Sequence, residues 1–267
     1  MIKRIIFLVE STFNKRDYDR FGVELLKKNR FEVKVWDATP VYNKRYYETY
    51  IPPDPFKFVG LKIFKDKTEV YKEITSLNKE DNLILMGFRN PSYSDLHKKI
   101  SRSSVEYIIP MINAIPSPKK RYNINIFIKN IKVAFKAGIK KNFLKFIPTF
   151  SFKFLFKIKP AKFIIASSSK SLHKSYLVGK NTKTIWTHTL DYDLYLKEKN
   201  KKSKEKNIAV FLDEYQPFHP FWIMSGLEGA INPNRYFSSI NTFFDLVEEK
   251  TGLKVIIAAH PRSKYGE

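Results

Sequence analysis

The hydrophobic positions of this chain fall into short apolar runs separated by segments with helical spacing. Runs rich in Val, Ile and Phe and bounded by polar turns are typical of strands that are buried on both faces. The last run, LKVIIAA, is the most continuous of them. The predicted strands are Arg4–Val9, Phe31–Trp36, Asn82–Met86, Val105–Ile109, Lys162–Ala166, Thr184–Trp186, Asn207–Leu212 and Leu253–Ala259.

Between these strands the apolar spacing changes to that of amphipathic helices, and one long segment rich in Tyr and Pro, Tyr42–Gly60, reads as a loop. Thr251 and Gly252 mark a helix end, since glycine suits a left-handed C-terminal cap. Strands that alternate with helices predict an α/β protein with a parallel, doubly wound sheet. The predicted helices are Asp17–Lys28, Lys67–Leu77, Ser92–Ser101, Ser171–Val178 and Asn234–Lys250.

A highly charged segment divides this alternating pattern into two parts. Residues 197–206 read KEKNKKSKEK, which is the composition of a solvated linker without an apolar anchor. The sequence therefore predicts a first Rossmann-like domain over 1–196 and the start of a second over 207–267. Two strands and one helix do not complete a doubly wound domain. We therefore expect the second domain to be truncated, and the chain to be a fragment with little or no catalytic activity.

Polar residues follow the last predicted strand directly. His260, Pro261, Arg262 and Ser263 come after the run that ends at Ala259. In open α/β sheets, ligands bind just beyond the carboxyl ends of the strands. An imidazole, a guanidinium and a hydroxyl at that edge are hydrogen-bond donors for an anion, so we predict an anion-binding site here.

A second group of polar residues follows the strand that opens the second part. Asp213 and Glu214, with Gln216 and His219 just behind them, lie at the carboxyl end of that strand. A carboxylate in this place can act as a general base, bind a metal or hold a sugar hydroxyl. Adjacent residues of an extended chain point to opposite sides, so only one of the two is expected to act directly. The alternative is that both cap the following turn.

In the first part, Glu10, Ser11 and Thr12 follow the first strand, and Ser168 lies in a serine cluster that follows FIIA. The serine hydroxyls offer donors to a phosphate, or they cap the next turn in the ordinary way. The sequence contains no GxGxxG, Walker A, GxSxG or HExxH motif and no histidine cluster with metal-ligand spacing. No metal site is therefore predicted.

The formal net charge of +23 is unevenly distributed. From Tyr107 to Leu190 there are 17 Lys and Arg and no Asp or Glu, which indicates a surface facing an anionic partner. Within it, an insertion at about 119–159 combines a lysine stripe with apolar positions. It reads either as a basic amphipathic element on an anionic membrane surface or as a surface helix packed on its own domain. The chain has no Cys and no apolar run long enough to span a bilayer.

Three segments, THTLDYDLYLK, VFLDEYQPFHP and VIIAAHPRSKY, resemble bacterial surface-polysaccharide biosynthesis proteins with the GT-B glycosyltransferase fold. The matching blocks are 1–39, 160–197 and 207–265. The resemblance implies two Rossmann-like domains around a cleft, with His260 on the phosphate of a nucleotide-sugar donor and Pro261 shaping the turn. The sequence resembles the acidic-acidic-Gly motif of such enzymes only at Asp213 and Glu214, since Tyr215 stands where that motif has glycine.

The same resemblance implies a nucleotide sugar as substrate, no cofactor, and a membrane-associated or lipid-linked glycan as acceptor. Glu10, Ser11 and Ser168 would then lie on the acceptor side, and Asp213 and Glu214 would be the catalytic carboxylates. We expect a cytoplasmic protein held at the inner face of the plasma membrane by the basic insertion. A nucleotide-sugar epimerase of the same fold and a basic nucleic-acid-binding module are the alternatives, the latter based on charge and aromatic content.

Overall fold

The computed structural model describes residues 2–52, 54–112, 157–172, 175–201 and 207–263. In this part of the chain, seven parallel strands form one sheet in the order β3-β2-β1-β4-β5-β6-β7. The reversal of strand order between β1 and β4 is that of a Rossmann-like α/β fold, which confirms the predicted α/β class with a parallel sheet. The strands are β1 (Arg4–Val9), β2 (Glu32–Asp37), β3 (Leu61–Ile63), β4 (Asn82–Met86), β5 (Glu106–Met111), β6 (Phe163–Ala166) and β7 (Lys183–Trp186).

Apolar layers on both faces explain why the central strands read as continuous hydrophobic runs. Along β1, Ile6 and Leu8 belong to one buried cluster, and Phe7 and Val9 belong to the other. Successive side chains of a strand point to opposite faces, so a strand covered on both sides needs apolar residues throughout. The carboxyl end of β1, and Glu10 directly after it, therefore lie at the edge of this buried core.

Helices flank the sheet and connect its strands. Three short 3₁₀ turns, Pro91–Tyr93, Ser169–Ser171 and Gln216–Phe218, complete the described secondary structure. The helices are α1 (Lys15–Arg20), α2 (Val23–Lys28), α3 (Thr39–Tyr42), α4 (Lys44–Thr49), α5 (Lys67–Ser76), α6 (Ser94–Arg102), α7 (Leu190–Glu198), α8 (Phe221–Ser225) and α9 (Pro233–Thr251).

Two of the predicted helices were wrong in detail. The expected helix Asp17–Lys28 is two helices, because Gly22 adopts a left-handed conformation with φ 62° and ends the first hydrogen-bonded run. The expected helix Ser171–Val178 is reduced to the turn Ser169–Ser171, and its other described residues are irregular. Tyr176 and Leu177 of this segment are buried in the core without forming a helix, because local propensity in so short a segment is weak support for one.

The prediction of a loop over Tyr42–Gly60 was also wrong, because this segment contains α4 and begins with the last residue of α3. The short strand β3 follows and was not predicted. Gly60 leads into β3 and lies so close to β2 that an added Cβ would be 2.4 Å from the carbonyl oxygen of Val33. A glycine that permits such an approach is the local signal for this strand.

The second sheet consists of two parallel strands, β8 (Ile208–Leu212) and β9 (Lys254–Ala258), connected through α8 and α9. Gly252 ends α9 in a left-handed cap with φ 67°, as predicted. This second unit contacts the first through an ion pair of 2.7 Å between Arg45 in α4 and Glu228 after α8.

The predicted basic insertion at about 119–159 lies outside the described residues for nearly all of its length, as do residues 202–206 of the predicted linker. The described start of that linker belongs to the end of α7, which reaches Glu198. Among the helices that the structure describes, none combines the length and the apolar character needed to cross a bilayer.

Candidate functional site

The candidate site lies where β8 and β9 end side by side. The carboxylate of Asp213, which follows β8, is buried and accepts a hydrogen bond of 2.9 Å from the backbone N–H of Tyr215. Its other oxygen accepts a longer bond of 3.4 Å from the N–H of His260, which follows β9. Asp213 therefore joins the two loops, and this role positions His260 rather than presenting a base to a ligand.

Two imidazoles meet beyond these strand ends. The rings of His219 and His260 make a T-shaped contact with their centroids 4.9 Å apart. Each Nδ1 accepts a hydrogen bond from a backbone N–H two residues ahead, at 3.0 Å from Phe221 and 3.1 Å from Arg262. A neutral imidazole whose Nδ1 is an acceptor carries its proton on Nε2. Among the described residues neither Nε2 has a hydrogen-bond partner, so both N–H groups are available to a ligand.

The surroundings keep both imidazoles neutral. Burial lowers the pKa of His219, and repulsion from His260 and Arg262 lowers it further. Burial likewise lowers the pKa of His260, followed by repulsion from Arg262 and Arg16. Protonation of Nδ1 would also cost each ring the backbone hydrogen bond that it accepts. The pair therefore offers neutral N–H donors rather than two positive charges.

A cavity of about 430 Å³ opens beside the imidazoles. Glu214 lines it, and the side-chain amide of Gln216 donates to this carboxylate at 2.8 Å. The indole N–H of Trp222 donates to the Gln216 carbonyl oxygen, which fixes the loop. The cavity thus combines N–H donors, one held carboxylate and an aromatic wall; its lining residues are Glu214, Gln216, His219, Phe221, Trp222 and His260.

The three residues after His260 form a turn, and the guanidinium of Arg262 lies away from the cavity. The Ser263 hydroxyl donates to the His260 carbonyl oxygen at 2.7 Å, so it serves the turn that Pro261 begins. The Arg262 guanidinium lies over the ring of Tyr50, 5.9 Å from its centroid. Arg262 therefore extends toward the first unit, where Tyr50 follows α4.

The predicted acceptor-side residues do not line the cavity beside the imidazoles. Glu10 is partly buried after β1, and burial raises its pKa against the opposing effects of Arg89 and the Tyr93 hydroxyl. Ser168 caps a 3₁₀ turn reciprocally with Ser171, which is the ordinary capping role. Ser11 follows Glu10 directly and does not line this cavity.

Sequence reasoning did not single out α1 as part of a candidate site. Asp17 is partly buried, and burial raises its pKa although Arg262, Arg20 and Arg16 all act to lower it. These partners place α1 within electrostatic range of the loop after β9. The sequence signal that could have identified α1 is its position after the carboxyl end of β1, where ligands bind in this fold class.

No protein-family model matches the chain, and no curated protein shows significant similarity to it. In the described ranges there is also no group of three or more His, Asp or Glu side chains that could hold a metal ion.

Proposed function

We propose that this protein binds a nucleotide sugar in the cavity after β8 and β9 and, contrary to the inactivity expected from the sequence, transfers the sugar to a hydroxyl acceptor. The observation that carries the proposal is the pair of available Nε2–H groups on His219 and His260 beside the carboxylate of Glu214. Directed N–H donors recognise phosphate oxygens, and Phe221 and Trp222 offer apolar surface to a base or sugar ring.

In this proposal the residues have separate roles in the transfer. The Glu214 carboxylate accepts the proton of the acceptor hydroxyl as the oxygen of that hydroxyl bonds to the anomeric carbon. The bond from this carbon to the donor phosphate oxygen breaks, and the nucleotide leaves with the electron pair. Donors that are already in place stabilise the charge that develops on the leaving phosphate. His219 and His260 supply these donors, and Asp213 holds the loop that carries His260.

We further propose that the two units form the facing halves of a GT-B-like cleft. The contact of Arg262 with Tyr50 and the ion pair of Arg45 with Glu228 support this arrangement. A membrane-associated glycan acceptor, reached through the basic insertion at the inner membrane face, belongs to the same proposal and rests on the charge distribution of the sequence.

Calorimetric titration with uridine, cytidine and guanosine nucleotides tests the donor site. We expect binding by the full chain, and a loss of about tenfold or more for His260→Ala, the size of one lost hydrogen bond to a charged group. His260→Gln retains an amide N–H near the Nε2 position, so it should recover part of the affinity. His188→Asn, at an exposed histidine after β7, is the matched control. Equal binding by all four proteins would refute the assignment.

Transfer itself is tested with nucleotide sugars and a panel of glycan acceptors. Release of free nucleotide that depends on an acceptor supports glycosyl transfer. A new nucleotide sugar formed without any acceptor would instead identify an epimerase, and nucleotide-independent retention on nucleic acid at physiological salt would favour the binding module.

A further inference from the structure

One residue beside the cavity has an unusual backbone conformation. Tyr215 has φ 52° and ψ 37°, which is the left-handed region that glycine and asparagine adopt most readily. Within the described chain, none of the other non-glycine residues with a positive φ lines this cavity; they are Arg30, Lys157 and Asn207. A tyrosine remains left-handed only where its surroundings stabilise that conformation, and such residues cluster at functional sites.

Hydrogen bonds on both sides hold Tyr215 in this conformation. Its backbone N–H donates to the Asp213 carboxylate at 2.9 Å. Its carbonyl oxygen accepts from the N–H of Phe218 at 3.1 Å, within the 3₁₀ turn Gln216–Phe218 that follows. The tyrosine ring also packs on the Phe218 ring, with the centroids 5.5 Å apart. The chain therefore turns sharply at Tyr215.

This turn separates the two neighbouring carboxylates. Asp213 is buried between the loops after β8 and β9, where it also accepts from the N–H of His260. Glu214 is exposed and lines the cavity, and the side-chain amide of Gln216 donates to its carboxylate at 2.8 Å. That hydrogen bond joins the residues directly before and after Tyr215, so it depends on the backbone angles of Tyr215.

We propose that Tyr215 is a positioning residue whose left-handed backbone directs the Glu214 carboxylate into the cavity. The inference rests on the proposed function, in which Glu214 is the base, and adds the residue that orients this base. The backbone carries the role, because the tyrosine ring does not line the cavity. A β-branched residue, which disfavours a positive φ, therefore turns Glu214 away from the imidazoles, whereas glycine keeps it in place.

The pKa of His219, followed by ring-nitrogen NMR of the full chain, reports the position of Glu214 without any ligand. Burial and the neighbouring His260 and Arg262 lower this pKa, whereas the Glu214 carboxylate raises it. Glu214→Gln should therefore lower the pKa of His219, and should lower it equally in the Tyr215→Gly background. In the Tyr215→Val background the same replacement should have little effect, because Glu214 has already left the cavity.

The comparison of glycine with valine isolates the backbone conformation, because both replacements remove the tyrosine ring. Tyr215→Ala should give an intermediate response and replaces the valine variant if that variant does not fold. Arg30→Val is the matched control, since it places valine at an exposed left-handed position with φ 67° after α2. It should leave the response of His219 to Glu214→Gln intact.

Equal lowering of the His219 pKa by Glu214→Gln in the glycine, alanine and valine backgrounds would overturn the inference while the proposed function stands. An unchanged His219 pKa after Glu214→Gln in the otherwise unmodified chain would overturn it as well.

Turnover gives a second, separate measurement. Tyr215→Gly should keep sugar transfer within about threefold of the unmodified rate, and Tyr215→Val should lose about 10²-fold or more, as expected when a general base is displaced. Absence of transfer by the unmodified chain would refute the proposed function, and the NMR titration would still decide whether Tyr215 positions Glu214.

Discussion

At the scale of single residues, the site depends on how backbone groups orient side chains. Both imidazoles present Nε2–H because each Nδ1 accepts a backbone N–H two residues along the chain. Sequence reasoning located His219 and His260 from their positions after strands. It did not place them together, because their contact depends on the parallel pairing of β8 with β9.

Asp213→Asn tests the positioning role of the buried carboxylate. The amide places an N–H₂ group where the carboxylate now accepts from Tyr215 or His260, so one buried backbone N–H loses its acceptor. We expect a loss of about 1–3 kcal/mol in the free energy of unfolding, together with weaker nucleotide binding. Urea denaturation of the variant measures the first effect. An unchanged urea midpoint and an unchanged nucleotide affinity would show that Asp213 does not position the loop of His260.

Glu214→Gln separates binding from chemistry. The amide keeps the size of the side chain and removes its capacity to accept a proton, so nucleotide affinity should stay within about threefold while turnover falls by about 10²–10⁴-fold. Steady-state transfer assays beside calorimetry measure both quantities. A variant that transfers sugar at the unmodified rate would require another base, and Glu10 and Asp17 would be the next carboxylates to replace.

At the scale of elements, strand positions followed from the sequence more closely than helix boundaries. The apolar runs at β1 and β4 matched their predicted bounds. The last four residues of β1 are buried on both faces, whereas β4 alternates between buried and partly buried positions. Helix α1 ends before the predicted residue because Gly22 adopts a left-handed backbone conformation, which hydrophobic periodicity does not indicate. The two short helices α3 and α4 escaped prediction because local propensity competes weakly with tertiary contacts in such brief segments.

The C-terminal cap of α9 provides a clean test of backbone strain. Gly252 has φ 67°, and a Cβ there would meet no atom within 4 Å. Gly252→Ala therefore adds conformational strain without a steric clash, and we expect a loss of about 1 kcal/mol in unfolding free energy. Gly252→Asn should lose less, since asparagine tolerates this region better. Thermal unfolding of both variants checks the order, and equal stability of Ala and Gly would contradict it.

The buried histidine of α6 links this helix to the segment after β6. His97 Nε2 bonds to the Phe88 carbonyl oxygen at 2.9 Å, and Nδ1 bonds to the Tyr176 hydroxyl. The carbonyl is only an acceptor, so Nε2 carries the proton and Nδ1 accepts from the tyrosine. Burial lowers the pKa of His97 to about 4. Between about pH 4 and pH 6.5, the ring is therefore neutral in the folded protein, whereas the unfolded chain binds a proton.

This pKa difference predicts the direction of a pH effect on stability. As pH falls from about 6.5 to about 4, the unfolded state takes up a proton that folded His97 refuses, so stability should fall by up to about 3 kcal/mol. Below pH 4 this contribution becomes constant. Urea denaturation across the range, compared with His97→Gln, isolates the effect from the carboxylates. The slope against pH should be smaller in the variant, and equal slopes would contradict the assignment.

At the scale of the whole molecule, the α/β class was predictable from the sequence, whereas the contacts between the two units were not. Alternating strands and helices are a local pattern, and they identified the parallel sheet. The reversal of strand order at β1 and β4 arises from long-range pairing. The contacts of Arg45 with Glu228 and of Arg262 with Tyr50 join residues far apart in sequence, so no local signal indicated that α4 and Tyr50 contact the second unit.

Ring nitrogen NMR of the five histidines provides the most direct test of the donor site. Before ligand is added, His219 and His260 should both show the neutral form with its proton on Nε2 at pH 7.5. Addition of the preferred nucleotide should shift the Nε2 resonances of these two residues and leave His97 and His188 unchanged. A nucleotide that binds without shifting either His219 or His260, or a complete absence of nucleotide binding, would contradict the account.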